Sequence, residues 1–180
     1  MGEAREAAFA ALFRCHHAAV RRYAARRAWP DAVDDVVAQT FLIAWRRFED
    51  VPADPLPWLL RTAGNCLANH RRGAARGAAL LERLRAEPAA VATDEHARQQ
   101  QRDAIVRAFA QLSDAERDVV MLVEWDGLSP ASAARALGLN AAQCRTRLYR
   151  ARRALRRALG TELAMPLSTP RQRNIHDAAC

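Results

Sequence analysis

With 180 residues, 51% of them hydrophobic and 27% charged, the chain has the size of one medium domain or two small ones, which excludes a large active-site scaffold. The net charge is +8, and because the sequence contains no lysine all 28 of its Lys and Arg positions are arginine, the better fork-shaped donor to phosphate and to guanine edges. No run of about 18 apolar residues occurs, and the start MGEAREAAFA has acids where a secretory leader has a basic and then apolar stretch, so no membrane insertion and a cytoplasmic location are expected.

From Glu3 to Arg27 no proline interrupts the chain, and Ala8, Leu12, Cys15, Ala19 and Tyr23 recur at helical spacing as an apolar stripe. A second helix is expected from Pro30, whose ring suits a first helical position and which is followed by Asp31, Asp34 and Asp35. Val33, Val37, Phe41, Ala44 and Phe48 make its expected buried face. The proline-bearing turn EDVPADPLP leads into a third helix from Pro57, with Trp58, Leu59, Thr62, Cys66 and Asn69 along one side. No segment alternates with period two, so the expected fold is all-α. Residues 73–97 lose large aromatics and gain Gly and Ala, and they read as a flexible linker with room for a helical turn or two around Leu80 to Arg85. This divides the chain into two small helical domains, 1–72 and 98–160, and leaves a tail, 161–180, of unknown role.

Three helix starts mark the second domain. Ser113 with Glu116 makes a capping box, Ser129 before Pro130 is an N-cap with proline at the first helical position, and Asn140 with Gln143 caps an arginine-rich helix. Gly138 ends the short middle helix just before the last one begins, and the sum is a helix-turn-helix. The last helix, from Asn140 to Leu159, carries arginines at 145, 147, 150, 152, 153, 156 and 157 and no acid. At about 100° per residue Cys144, Leu148, Ala151 and Leu155 form its packing stripe, and Ala142, Arg145, Thr146, Tyr149, Arg150 and Arg153 lie opposite. Small residues at the leading end, then arginines and a tyrosine, suit entry into a major groove, where Arg145 and Arg150 reach guanine or phosphate. Arg152, Arg153, Arg156 and Arg157 lie further along, where phosphate neutralisation is expected.

The cysteines 15, 66, 144 and 180 are far apart, form no C-x-x-C pair and acquire no ligand spacing from the five histidines, so idle thiols and no metal or cofactor are expected. No nucleophile with a base and no phosphate loop is recognisable, and the chain is not expected to be an enzyme.

Two blocks resemble the extracytoplasmic-function sigma factors of the sigma-70 family. In the first, DDVVAQTFLIAWRRF is similar to the region 2.2 pattern D-L-V-Q-E-T-F-L-R-A-W-R, and PWLLRTAGNCLANHRR to W-L-Y-R-I-A-R-N followed by D-x-x-R-R. In the second, the stretch from LSDAERDVV to CRTRLYRARRAL is similar to region 4, which ends in T-V-K-S-R-L-x-R-A-R-x-x-L. The resemblance implies a promoter-specificity factor with core RNA polymerase, promoter DNA and an anti-sigma factor as partners. It places Asp35 and Gln39 on the face that engages the polymerase clamp helices, although the family's glutamine and glutamate are Ala38 and Gln39 here. It places the loop 47–57, with Phe48, Trp58 and Asn65, where a base flipped from the minus-10 element is held, and Arg61, Arg71 and Arg72 along the single strand. Arg145, Thr146, Tyr149, Arg150 and Arg153 fall where the family reads the minus-35 element. The alternatives are a free-standing helix-turn-helix repressor or activator, which would have no use for the first block, and a helical adaptor whose basic face docks an acidic protein or membrane surface.

Overall fold

The computed structural model describes residues 2–81 and 104–160, and among them all regular structure is helical. They group into two compact units, the first holding helices α1 to α3 and the second α4, α5, α7 and most of α6.

In the first unit α1 spans Gly2–Ala25, α2 Val33–Arg46 and α3 Leu56–Leu81. A 3-10 turn, Pro30–Ala32, leads into α2, with proline at its first position and Asp34 and Asp35 following in the first turn of α2, where the helix dipole favours them. A second 3-10 turn, Phe48–Asp50, follows α2 and is fastened by Arg47 Nε donating to Asp50 Oδ2 at 2.8 Å. Val20 and Ala24 of α1, Val36, Val37, Phe41 and Ala44 of α2, and Leu59, Leu60, Ala63 and Leu67 of α3 are buried together. Two buried hydroxyls are satisfied by their own helices: Thr40 donates to the Val36 carbonyl at 2.7 Å and Thr62 to that of Trp58 at 2.9 Å. Gly64 sits where α1 and α3 approach closely, since a Cβ there would lie 3.0 Å from the Tyr23 hydroxyl.

The packing face of α1 differs from the expected stripe. Ala8 is exposed, and the ring of Phe9 turns inward instead, edge-on to Phe41, Trp45 and Phe48 at centroid distances of 6.5, 5.1 and 6.2 Å. An aromatic ring gains far more from burial than a methyl group, so the helix rotates to suit Phe9 and Val20. On α3 Asn69 is exposed and Trp58 half-buried, because the buried row runs through Leu59, Leu60, Ala63, Cys66 and Leu67 and both flank it. The backbone stays helical past residue 72, to Leu81. Residues 82–97 of the expected linker, and the tail 161–180, lie outside the described residues.

In the second unit residues 104–110 form α4. α5 covers Asp114–Val120 and runs on into a π turn, Met121–Trp125, in which the Asp126 amide reaches the Met121 carbonyl at 3.0 Å. The expected Ser113–Glu116 capping box is present. Arg117 spans the α4–α5 corner, donating to the carbonyls of Phe109 and Leu112 at 3.3 and 3.1 Å, and so reinforces the turn that the Leu112 amide closes on the Phe109 carbonyl. α6 is Pro130–Leu137 and α7 is Ala141–Leu159.

Candidate nucleic-acid interface

The helix-turn-helix is built by caps. Ser129 Oγ accepts from the Ser132 amide at 3.1 Å at the start of α6. At its end Gly138 takes φ +65°, with the Gly138 amide reaching Arg135 O at 3.3 Å and the Leu139 amide reaching Ala134 O at 2.9 Å, the pattern of a Schellman stop. Asn140 then opens α7: its side chain accepts from the Gln143 amide at 2.8 Å, and Gln143 Oε1 accepts from the Asn140 amide at 3.1 Å. The buried Cys144 thiol donates to the Pro130 carbonyl at 3.3 Å, which ties the first turn of α7 to the first turn of α6. Burial pushes this thiol above its ordinary pKa, and the charges of Arg147 and Arg145 only partly oppose the rise.

The buried side of α7 is Cys144, Leu148, Ala151 and Leu155, the stripe that the spacing predicts. Ala141, Ala142, Arg145, Thr146, Tyr149, Arg150, Arg153, Arg156 and Arg157 are all exposed. The leading turn therefore presents methyl groups, and guanidinium groups and a phenol stand behind them on one solvent-facing side.

Two arginines depart from a purely DNA-facing arrangement. Arg152, expected to neutralise phosphate, is instead ion-paired inside the unit: its Nε and Nη2 donate to Glu124 Oε1 at 2.9 and 2.6 Å. Only 31% of the Arg152 side chain and 15% of Glu124 is exposed, so this pair fastens α7 to the π turn. Arg147 is half-buried, and with Arg150 it acts electrostatically on Glu116 of α5. The Glu116 carboxyl is held below its ordinary pKa first by the hydrogen bonds from the Ser113 hydroxyl and amide, and then by these two positive charges.

The first unit presents two polar faces. On α2 Asp35, Ala38 and Gln39 are exposed in succession, and Leu42 beside them is 47% open to solvent. Asp34 pairs with Arg21 of α1 at 3.2 Å. On α3 Arg61, Asn65, Asn69 and Arg72 recur three or four residues apart as an exposed row, with Arg72 hydrogen-bonded to Asn69. Arg71 is exposed as well and donates to the Arg27 carbonyl at 2.8 Å, bridging α3 to the end of α1. Phe48 and Trp58 are half-buried, and Phe48 belongs to the aromatic cluster around Phe9. Helical spacing in the sequence brings together the α7 face and the α3 row, but it misses the Glu124–Arg152 pair and the α1–α3 bridge, which join residues distant in the chain and leave no local pattern.

Cys66 and Cys144 are free and buried, and burial also raises the Cys66 pKa against a lowering hydrogen bond with Thr40. Cys15 is half-buried on α1, and Cys180 lies outside the described residues. Among the described residues no group of three or more His, Cys, Asp or Glu is placed to hold a metal ion, and no helix is long and apolar enough to cross a membrane.

Comparison with known proteins adds to this geometry. A family profile described as Sigma-70 region 2 matches residues 12–77, and one described as Sigma-70, region 4 matches residues 102–155. The chain is 34% identical over 154 residues to the ECF RNA polymerase sigma factor SigL of Mycobacterium tuberculosis, covering 83% of this chain and 87% of that protein. Among solved structures it is similar to CnrH in complex with the cytosolic domain of CnrY, at 27% identity and a TM-score of 0.59, covering 86% of this chain and 88% of the other. It also shares its fold with the sigma factor RpoE bound to the anti-sigma factor NepR from Bartonella quintana, at 22% identity and a TM-score of 0.62 over 84% of this chain and 96% of the other.

Proposed function

The chain belongs to the sigma-70 family, in its extracytoplasmic-function branch, and from that membership we propose how its two units divide the work of an RNA polymerase sigma factor. The exposed α2 face of Asp35 and Gln39, with Leu42 at its apolar edge, docks core polymerase. The loop 47–57 and the α3 row hold the opened minus-10 element: Phe48 and Trp58 are apolar walls, Asn65 a polar edge for a base, and Arg61, Arg71 and Arg72 follow the strand. In the second unit the N-terminal half of α7 enters the minus-35 major groove, with Arg145, Thr146, Tyr149 and Arg150 toward base edges and Arg153 toward phosphate.

The observation that carries this division is the α7 face: a capped helix with no acid of its own turns five of its seven arginines and Tyr149 to solvent while its apolar stripe is buried. Crowding like charges on one side is unfavourable by itself, and a polyanion offsets it. The protein performs no bond chemistry of its own in this reading and works in the cytoplasm beside the polymerase. The relatives solved with CnrY and with NepR support a further expectation, that an anti-sigma partner covers these faces and holds the factor inactive. A free-standing repressor is disfavoured because it has no use for a region 2 unit.

Copurification with core polymerase tests the assignment of α2. Asp35→Arg combined with Gln39→Arg reverses the character of the exposed face without touching the buried one, so it abolishes copurification while helical content stays unchanged. Normal binding by the double variant would refute the assignment.

A further inference from the structure

Trp29 has the largest exposed fraction of the large apolar side chains among the described residues, 76%. Its backbone is held on both sides: the Arg27 and Ala28 amides reach the Ala24 carbonyl at 2.9 and 2.8 Å in the turn that leaves α1, and the Trp29 carbonyl accepts from the Ala32 amide at 2.9 Å in the turn that starts α2. An indole held open to water on a fixed backbone is already organised for contact, since little further ordering is needed on binding. The surroundings favour nucleic acid. Arg26 and Arg27, both half-buried, precede Trp29, Arg27 is held with its guanidinium 3.9 Å over the Tyr23 ring, and the exposed Arg71 joins this corner to α3 through the Arg27 carbonyl.

That bridge makes the corner continuous with the α3 row. From Pro57 to Arg71 the helix rises about 20 Å, roughly six steps of a nucleic-acid strand at duplex spacing. The acids beyond Trp29 decide which part of a strand it meets. Asp34 is paired with Arg21, but Asp31 stands exposed two residues after the indole and would repel a phosphate at the ring. The π face of a base carries no such charge.

We propose that Trp29 is a stacking platform for a base of the opened promoter strand, at the Arg71 end of the α3 row and thus remote from the loop 47–57. The proposal rests on the minus-10 assignment of the first unit and extends it to a residue outside both the α3 row and the loop.

The test uses the full chain with core polymerase on fork templates, duplex upstream and single-stranded through the minus-10 element, built on a promoter selected from a fragment library. 2-Aminopurine is placed at one position of the strand at a time. With the natural chain its fluorescence is quenched at one position by stacking on the indole. Trp29→Ala removes that quenching and weakens fork binding by about 5- to 150-fold, the range of base–aromatic stacking. Trp29→Phe retains part of both, and copurification with core polymerase is the same for all three. Unchanged quenching and affinity in Trp29→Ala would overturn the proposal, as would a loss of core polymerase copurification, which would make the indole a protein contact. If even the natural chain forms no polymerase-dependent complex on any fork template, the minus-10 assignment itself falls.

Discussion

Removing either partner of the Arg152–Glu124 pair separates an internal clamp from a phosphate contact. An exposed ion pair contributes about 0–1 kcal/mol, and losing one partner of a fully buried pair costs about 3–5 kcal/mol. With 31% and 15% of the two side chains exposed, this pair lies between those limits, so Arg152→Gln and Glu124→Gln should each destabilise the second unit by about 1–3 kcal/mol. Most of that loss is shared, because each single variant already breaks the same pair of hydrogen bonds. The double variant should therefore fall short of the sum of the singles by about 1–2 kcal/mol. Native-state hydrogen exchange of the α7 amides measures this across the four proteins of the cycle. The salt dependence of minus-35 DNA binding, measured alongside, should keep its slope in Arg152→Gln, whereas removing a phosphate contact lowers the slope by about one. Additive stability losses, or a slope lower by one, would show that Arg152 serves DNA and that its contact with Glu124 contributes nothing.

Two further outcomes follow from the caps of the second unit. Asn140→Ala removes the acceptor for the Gln143 amide at the start of α7 and should cost about 1 kcal/mol, seen as faster hydrogen exchange in the first turn of α7; unchanged exchange would mean that the cap contributes little. Glu116 has a lowered carboxyl pKa in the folded chain, so its ionised form adds stability at neutral pH that disappears as pH falls through the unfolded carboxylate value of about 4.3 and then through the lower folded one. The stability gap between the natural chain and Glu116→Gln should accordingly close on acidification in urea titrations between pH 7 and pH 3, and a gap independent of pH would contradict the ionised capping box.

What could be read from the sequence was local. The capping boxes at Ser113 and Asn140 need only residues three apart, Gly138 marks a helix stop that favours a positive φ, and the α7 stripe follows from helical periodicity alone. Those signals sufficed for the helix-turn-helix and for the exposed arginine face. The register of α1 was less accessible because that helix packs on both α2 and α3, so its apolar positions are spread widely and the bulk of Phe9 outweighs the regular spacing of Ala8. The π turn at Met121–Trp125 widens the helix by one residue in a run with no glycine or proline to announce it. The pairing of Arg152 with Glu124 and the donation from Arg71 to the Arg27 carbonyl depend on how helices pack, and the same arginines read in isolation as solvent-facing charge. Exposure of Trp29 was hidden for a related reason: a tryptophan beside a proline at a helix start is as compatible with a core as with a surface.

Promoter-library transcription with core polymerase tests most directly whether α7 reads bases or only supplies charge. Ala at Arg145 or Arg150 should change which upstream sequences are used, at about 1–3 kcal/mol against the cognate base for each bidentate pairing that the substitution removes. Ala at Arg153, Arg156 or Arg157 should lower output evenly across the library and reduce the salt slope of binding by about one for each phosphate that is no longer neutralised. Two groups of variants with the same sequence profile would contradict base reading by α7, and a chain that directs no promoter-selective initiation with core polymerase would contradict the assigned role of the whole protein.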